Sequence, residues 1–256
     1  MLSEERYAII LDYLNQHKTV TISELTKRIN TSESTVRRDL TLLADLGKLR
    51  KIRGGAAALT TSVFTTSEND MDYKYTQHGK EKKMIAAYAA KFIKPDDFVF
   101  IDAGTTTEAL VDALIETKAS FVTNGLLHAK KLAEKGFTVM VLPGRVRHET
   151  EAIVGTQTLD VLEHYHFTCG FFGTNGIDPD GGFTTPNPEE ASVKRKAMLH
   201  CKKTYILADS SKFNRVTPVG FAALKDADII TDCVNDSRYQ EKTTIKEVGN
   251  DLYGHF

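Results

Sequence analysis

Two short amphipathic helices separated by three residues constrain this chain more than any other feature. In "VTISELTKRIN", Thr21 and Glu24 form a T-x-x-E capping box, and Ile22, Leu25 and Ile29 recur at helical spacing. In "SESTVRRDLTLL", Ser32 is a helix cap, Glu33 suits the first-turn dipole, and Val36, Leu40 and Leu43 make one apolar stripe. Only Asn30, Thr31 and Ser32 lie between, and these residue types favour a tight turn followed by an N-cap. A helix from about Ser3 to Gln16 supplies Ile9, Ile10, Tyr13 and Leu14 to complete a three-helix core. Beyond Gly47, "KLRKIRGGA" reads as a short basic hairpin closed by Gly54 and Gly55, which has the form of a wing.

This arrangement explains why two adjacent arginines stand on the second helix of the pair. In a winged helix-turn-helix that helix enters the major groove, while the wing reaches phosphate or the minor groove. Arg37 and Arg38 point about 100° apart, so one is expected to read a guanine edge and the other to grip phosphate. The DNA-contacting set is Thr21, Ser34, Thr35, Arg37, Arg38, Lys51 and Arg53. Asp39 either orients an arginine or makes an ordinary surface ion pair. Charge agrees with a nucleic-acid partner: residues 27–53 carry eight basic and three acidic residues, in a chain whose net charge is −1.

At 256 residues, 41 % hydrophobic and 26 % charged, the chain has room for about two globular domains. No apolar run approaches the length of a membrane span and no signal-like h-region is visible, so a cytoplasmic, membrane-free protein is expected. Cys169, Cys201 and Cys233 are far apart without a CxxC, which argues for buried reduced thiols rather than a disulfide framework. No metal site is expected: His148, His164 and His166 lack ligand spacing.

The domain division is read as 1–57 for the winged helix, 58–72 for an Ala/Thr/Ser-rich linker and 73–256 for the larger body. In the body, helical patterns such as "KEKKMIAAYAAKFI" alternate with β-rich runs, "FVFID", "SFVT", "TVMVL", "CGFF" and "TYILAD". Such alternation implies an α/β fold with a mostly parallel sheet covered on both faces. Ligand sites in these sheets lie beyond the carboxyl ends of the strands. There stand Gly104, Thr105, Thr106 and Thr107 opening a helix, then Thr123 and Asn124, Gly144 with Arg145 and Arg147, "GTNGID", and Asp209 to Lys212. A glycine turn with hydroxyls at a helix start suits an anion; with lysine and several polar side chains it describes a sugar-phosphate pocket.

The stretch "SELTKRINTSESTVRRDLTLLADLGKLRKIRGGA" resembles the winged helix of DeoR-family bacterial transcriptional regulators, whose usual pattern is a hydroxyl or acidic residue, then TVRRDL, LGxL and HGGA. Arg53 stands where the family commonly has histidine, leaving the wing more basic. In the body, "IDAGTTT", "TN", "GFFGTNGI", "EEASVKRKAM" and "DSSKF" resemble the DeoR sensor domain, which is similar in turn to ribose-5-phosphate and glucosamine-phosphate isomerases. By position, the resemblance puts Thr105 and Thr106 with Lys82 where those folds hold phosphate. Lys74, Asp209 and Lys212 match positions associated with effector response, and Glu190 and Lys194 match a carboxylate and a lysine near the isomerase sugar site. The effector-binding set is thus Lys74, Lys82, Asp102, Gly104, Thr105, Thr106, Asn124, Arg147, Asn175, Glu190, Lys194, Asp209 and Lys212, with no cofactor.

The resemblance implies a repressor of a sugar-utilisation operon, acting as a homo-oligomer on double-stranded DNA and controlled by a phosphorylated sugar. "TTPNPEEASVKR" looks more like fructose-operon than lactose-phosphotransferase regulators, so fructose 1-phosphate leads, with tagatose or another hexose phosphate behind it. The alternative is an active aldose–ketose isomerase with a DNA-binding appendage. Against it, the ribose-phosphate isomerases carry aspartates at the first and fourth positions of the stretch resembling "FGTN". Here these are Phe172 and Asn175, neither of which can be a general base.

Overall fold

The computed structural model describes residues 2–58, 62–66, 76–115, 117–234 and 236–248, apart from the side chain of Asn15. It divides into two compact units, Met1–Val63 and Phe64–Phe256. Much of the segment read as a linker, and Lys74 with it, lies outside the described residues.

The first unit holds helices α1 (Ser3–His17), α2 (Ile22–Ile29) and α3 (Glu33–Asp45) and strands β1 (Thr19–Thr21), β2 (Arg50–Ile52) and β3 (Gly55–Ala57). Ile10, Leu14, Leu25, Ile29, Val36, Leu40, Leu43 and Leu49 meet in one core, the stripes expected from their spacing. Asn30 takes the left-handed conformation that ends α2, and the Ser32 side chain accepts the Thr35 amide to start α3. Strand β3 lies between β1 and β2, antiparallel to both. Gly55 is required there, because a Cβ would fall 2.0 Å from the Val20 carbonyl oxygen.

The second unit is built on a seven-stranded sheet. Its strands are β4 (Phe98–Ile101), β5 (Ser120–Thr123), β6 (Thr138–Val141), β7 (Cys169–Gly173), β10 (Thr204–Leu207), β12 (Asp228–Thr231) and β13 (Ile245–Glu247), and every adjacent pair is parallel. In space they run β13-β12-β10-β7-β4-β5-β6. The chain therefore builds outward from β4 to β6, then returns to the other side of β4 with β7, which makes the β4/β7 boundary a topological switch point. Helices α4 (Gly79–Ala90), α5 (Thr105–Ala113), α6 (Leu126–Glu134), α7 (Thr156–Leu162) and α8 (Pro188–Leu199) complete the α/β layers, and apolar clusters pack on each face of the sheet. Helix α4 stops at Ala90, three residues short of the expected end.

Three features depart from the sequence reading. Strands β8 (Gly176–Asp178), β9 (Gly182–Thr185) and β11 (Val219–Ala222) form a separate antiparallel sheet, and β12 and β13 extend the parallel one. Cys169 is buried, whereas Cys201 and Cys233 are half-exposed; burial still holds all three thiols above their usual range, Cys169 at about 12. Asp39 is not on the surface: it is buried against Arg6 of α1 rather than beside Arg37 or Arg38. Among the described residues no helix is long and apolar enough to cross a membrane.

Candidate functional site

In the first unit, burial of Val36, Leu40 and Leu43 turns the opposite side of α3 outward, so that Ser34, Arg37, Arg38 and Thr41 are exposed. Ser32 sits within 2.8 Å of the Ser34 hydroxyl and 2.9 Å of that of Thr35, a small hydroxyl cluster at the first turn. Arg37 makes an exposed ion pair with Glu33 one turn back, 3.3 Å. Lys51 of the wing donates to Thr41 Oγ1 at 2.8 Å, so wing and groove helix present cations side by side. Arg53 is exposed at the hairpin tip beside Gly54, whose φ of +82° suits a glycine. Thr21 is engaged instead in capping α2: it accepts the Glu24 amide, and its own amide and hydroxyl donate to the Glu24 carboxylate.

In the second unit a cavity of about 190 Å³ opens at the switch point. Residues following β4 (Ala103 to Thr106), β7 (Gly173 to Asn175) and β10 (Ser211, Lys212) line it, together with Lys82, Glu190 and Lys194. Thr105 and Thr106 begin α5, and first-turn amides have no acceptor within their own helix. Lys82, on α4, is buried against this cavity.

Charges at the cavity wall are organised in pairs. Asp102 is buried and accepts from Lys194 Nζ and from the Gly173 amide at 3.1 Å. Burial pushes its carboxyl upward against the pull of Lys194. Glu190 accepts from Arg147 at 2.7 Å and from Thr150 Oγ1 at 2.6 Å. Asp209 accepts from the Ser211 amide at 3.0 Å and from its hydroxyl, and Lys212 Nζ lies 3.7 Å away. Burial disfavours the Asp209 charge, yet Lys212, Ser211 and His78 together hold it below the usual carboxylate range. Among the described residues, Asp209 Oδ2 and Thr217 Oγ1 are buried without a hydrogen-bond partner, an unusual condition; of the two, Thr217 lines the cavity, where a ligand hydroxyl would relieve it.

Of the expected effector residues, Lys82, Gly104, Thr105, Thr106, Asn175, Glu190, Lys194 and Lys212 line the cavity. Four others stand behind it, Asp209 among them, 3.7 Å from Lys212 Nζ. Asn124 accepts the Ala103 amide at 3.0 Å, Asp102 fixes Lys194, and Arg147 fixes Glu190. The convergence of five strand ends therefore reduces to three on the cavity and two in support. The sequence reading did not single out Thr150, Arg215 and Thr217, which belong to no quoted motif, nor Thr174, although it lies within "GTNGID".

Residues 6–62 match the model of the DeoR-like helix-turn-helix domain, and residues 77–233 match the DeoR C terminal sensor domain. The chain belongs to the DeoR family. It is 41 % identical over 252 residues to the uncharacterized HTH-type transcriptional regulator FruR of Bacillus subtilis, covering 97 % of this chain and 99 % of that one. It is 33 % identical to the lactose phosphotransferase system repressor of Streptococcus mutans, covering 98 % and 100 %. The B. subtilis regulator IolR is 31 % identical, with 93 % and 94 % covered. Ribose 5-phosphate isomerase from Methanocaldococcus jannaschii overlaps 54 % of the chain and 55 % of its own at a TM-score of 0.41 and 12 % identity, too slight a likeness to bear on chemistry.

As a DeoR-family member the protein is a DNA-binding transcriptional regulator, and its relatives are named regulators and repressors rather than enzymes. Phe172 is wholly buried and stacks on Phe100 with centroids 5.3 Å apart; it is part of the core and offers the cavity no proton-transfer group.

Proposed function

We propose that this DeoR-family regulator represses a sugar-utilisation operon and that a phosphorylated sugar in the second unit's cavity controls its hold on DNA. What supports this is the meeting of complementary chemistries on one cavity. The start of α5 and Lys82 suit a phosphate; Glu190 and the unpartnered Thr217 hydroxyl suit sugar hydroxyls, and Asp209, behind the wall, stands 3.7 Å from the cavity-lining Lys212. The name of one relative, a lactose phosphotransferase system repressor, supports sugars as the class. Fructose 1-phosphate is the first candidate, followed by tagatose and other hexose phosphates. A symmetric homo-oligomer reading an inverted repeat supplies the footprint that one winged helix lacks.

The deciding experiment melts the protein against a panel of sugar phosphates, since a ligand stabilises by RT ln(1 + [L]/Kd). Selective stabilisation by one phosphorylated sugar, without its turnover, is expected. Lys212→Ala and Thr105→Ala should abolish it while keeping operator affinity. A wild-type protein indifferent to the whole panel overturns the proposal, and turnover restores the isomerase alternative.

A further inference from the structure

The turn that opens α5 is held from behind by two side chains of one neighbouring segment. Asn124 Oδ1 takes the Ala103 amide at 3.0 Å, and four residues on, His128 Nε2 lies 3.1 Å from the Gly104 carbonyl oxygen. His128 is 2 % exposed and does not line the cavity. Its Nε2 is also 3.1 Å from Thr107 Oγ1, which itself donates within 2.6 Å of the Asp102 carbonyl. A carbonyl oxygen can only accept, so the contact with Gly104 is a hydrogen bond in the tautomer that carries the proton on Nε2. Burial agrees with a neutral ring, lowering its pKa to about 4 despite the nearby Glu108 and Asp112 carboxylates and with Lys131 acting in the same direction as burial.

The consequence follows from peptide geometry. In a planar trans peptide the carbonyl of one residue and the amide of the next point in opposite directions. The Gly104 carbonyl also takes the Glu108 amide at 2.8 Å and the Thr107 hydroxyl at 2.9 Å; with His128 as the partner from the neighbouring segment, these contacts fix the Thr105 amide on the opposite side, where Gly104 and Thr105 border the cavity. The ring has room because residue 125 is glycine: a Cβ there would lie 2.4 Å from His128 Nδ1 and 2.8 Å from Cγ. Gly125 itself has an ordinary φ of −98°, so its backbone does not demand glycine.

We infer that His128, as the Nε2–H tautomer, is a positioning residue that aims the Thr105 amide at a phosphate in the cavity, and that Gly125 is kept bare to seat its ring. This rests on the reading of the cavity as a phosphate-binding site. It assigns a role to a residue outside the cavity wall.

The test combines nitrogen-15 histidine spectra with titrations of fructose 1-phosphate, tagatose 6-phosphate, inorganic phosphate and unphosphorylated fructose. His128→Phe keeps a ring, slightly larger, and removes the donor; it should weaken binding of the phosphorylated ligand at least about tenfold, whereas His128→Gln, which restores an N–H, should recover most of it. Gly125→Ala should weaken it similarly, yet add nothing in a His128→Ala background, because the clash is then gone. Any affinity for unphosphorylated fructose should be unaffected by these changes. The spectrum should show a neutral ring protonated on Nε2 at pH 7. A ring protonated on Nδ1, or wild-type affinity in His128→Phe, overturns the inference alone. Wild-type protein that binds none of the phosphorylated probes overturns the phosphate reading and this inference together.

Discussion

Asp39 on α3 holds Arg6 on α1 through two hydrogen bonds, 2.7 Å to Nε and 3.0 Å to Nη2, with the carboxylate buried. The residue lies one position from Arg38 in sequence but about 100° round the helix, buried where Arg38 is exposed, so it ties the groove helix to α1 instead of joining the exposed face. Asp39→Ala should therefore lower the melting temperature of the first unit by at least about 5 °C, with Arg6→Ala plus Asp39→Ala less damaging than the sum of the two. Thermal melts of the four proteins of that cycle check it. Additive effects would mean that the pair does not act as a unit.

Arg37 starts from an exposed pair with Glu33, a contact that such pairs hold weakly in water. Arg37→Ala and Arg38→Ala should each weaken operator binding by about tenfold or more. One loses base preference, and the other lowers the salt slope by about one. Glu33→Gln should leave binding equal or slightly tighter, because it frees Arg37 and removes a negative charge near phosphate. Titrations against operator and scrambled duplexes at three salt concentrations separate these outcomes.

Lys194 and Asp102 form a buried ion pair at the cavity wall, with side chains 5 % and 2 % exposed. Removing one member strands the other, so Lys194→Met should cost the second unit about 3–5 kcal/mol. Adding Asp102→Asn to Lys194→Met should recover part of that loss, since the amide still accepts the Gly173 proton. Urea unfolding of the full chain, followed in the second unit, measures both.

His128 makes stability depend on pH in a definite direction. The unfolded chain accepts its proton near pH 6.5 and the fold refuses it until about pH 4. Across that window the unfolded state binds more protons, so stability is present above 6.5 and falls as pH drops. The total loss is about 3 kcal/mol at about 1.4 kcal/mol per pH unit. Unfolding midpoints between pH 7 and 4.5 should fall less steeply in His128→Gln than in the wild type, and parallel slopes would contradict the burial of an uncharged ring.

The first unit was legible because its signals are local. Capping at Thr21 and Ser32 and the Val36, Leu40, Leu43 stripe are decided within one or two turns, and burial followed them. Gly104 to Thr106 was legible for the same reason, as a turn and helix start that carry their own donors. Asn124 and Arg147 were recognised as important but assigned to ligand, because whether a side chain enters a cavity or braces its wall depends on strand order across the sheet. Asp39 misled for the same cause: an acid beside two arginines in sequence pairs with a third from another helix. Strands β8 and β9 carry no alternation of polar and apolar residues, since positions 176–178 and 182–185 are buried on both faces.

The pairing of β1 with β3 is extended by a bond from the Ala58 amide to the Lys18 carbonyl at 2.8 Å. The polypeptide thus leaves the DNA-binding unit through the last strand of the wing itself. Any tension transmitted along the chain from residues beyond 58 arrives first at that single bond, then at the rungs joining Thr19 to Ala57 and Thr21 to Gly55, in series. The wing strand is thus the first element of the unit that such a pull would load, ahead of the three helices, and it leads directly into the loop that carries Lys51 and Arg53.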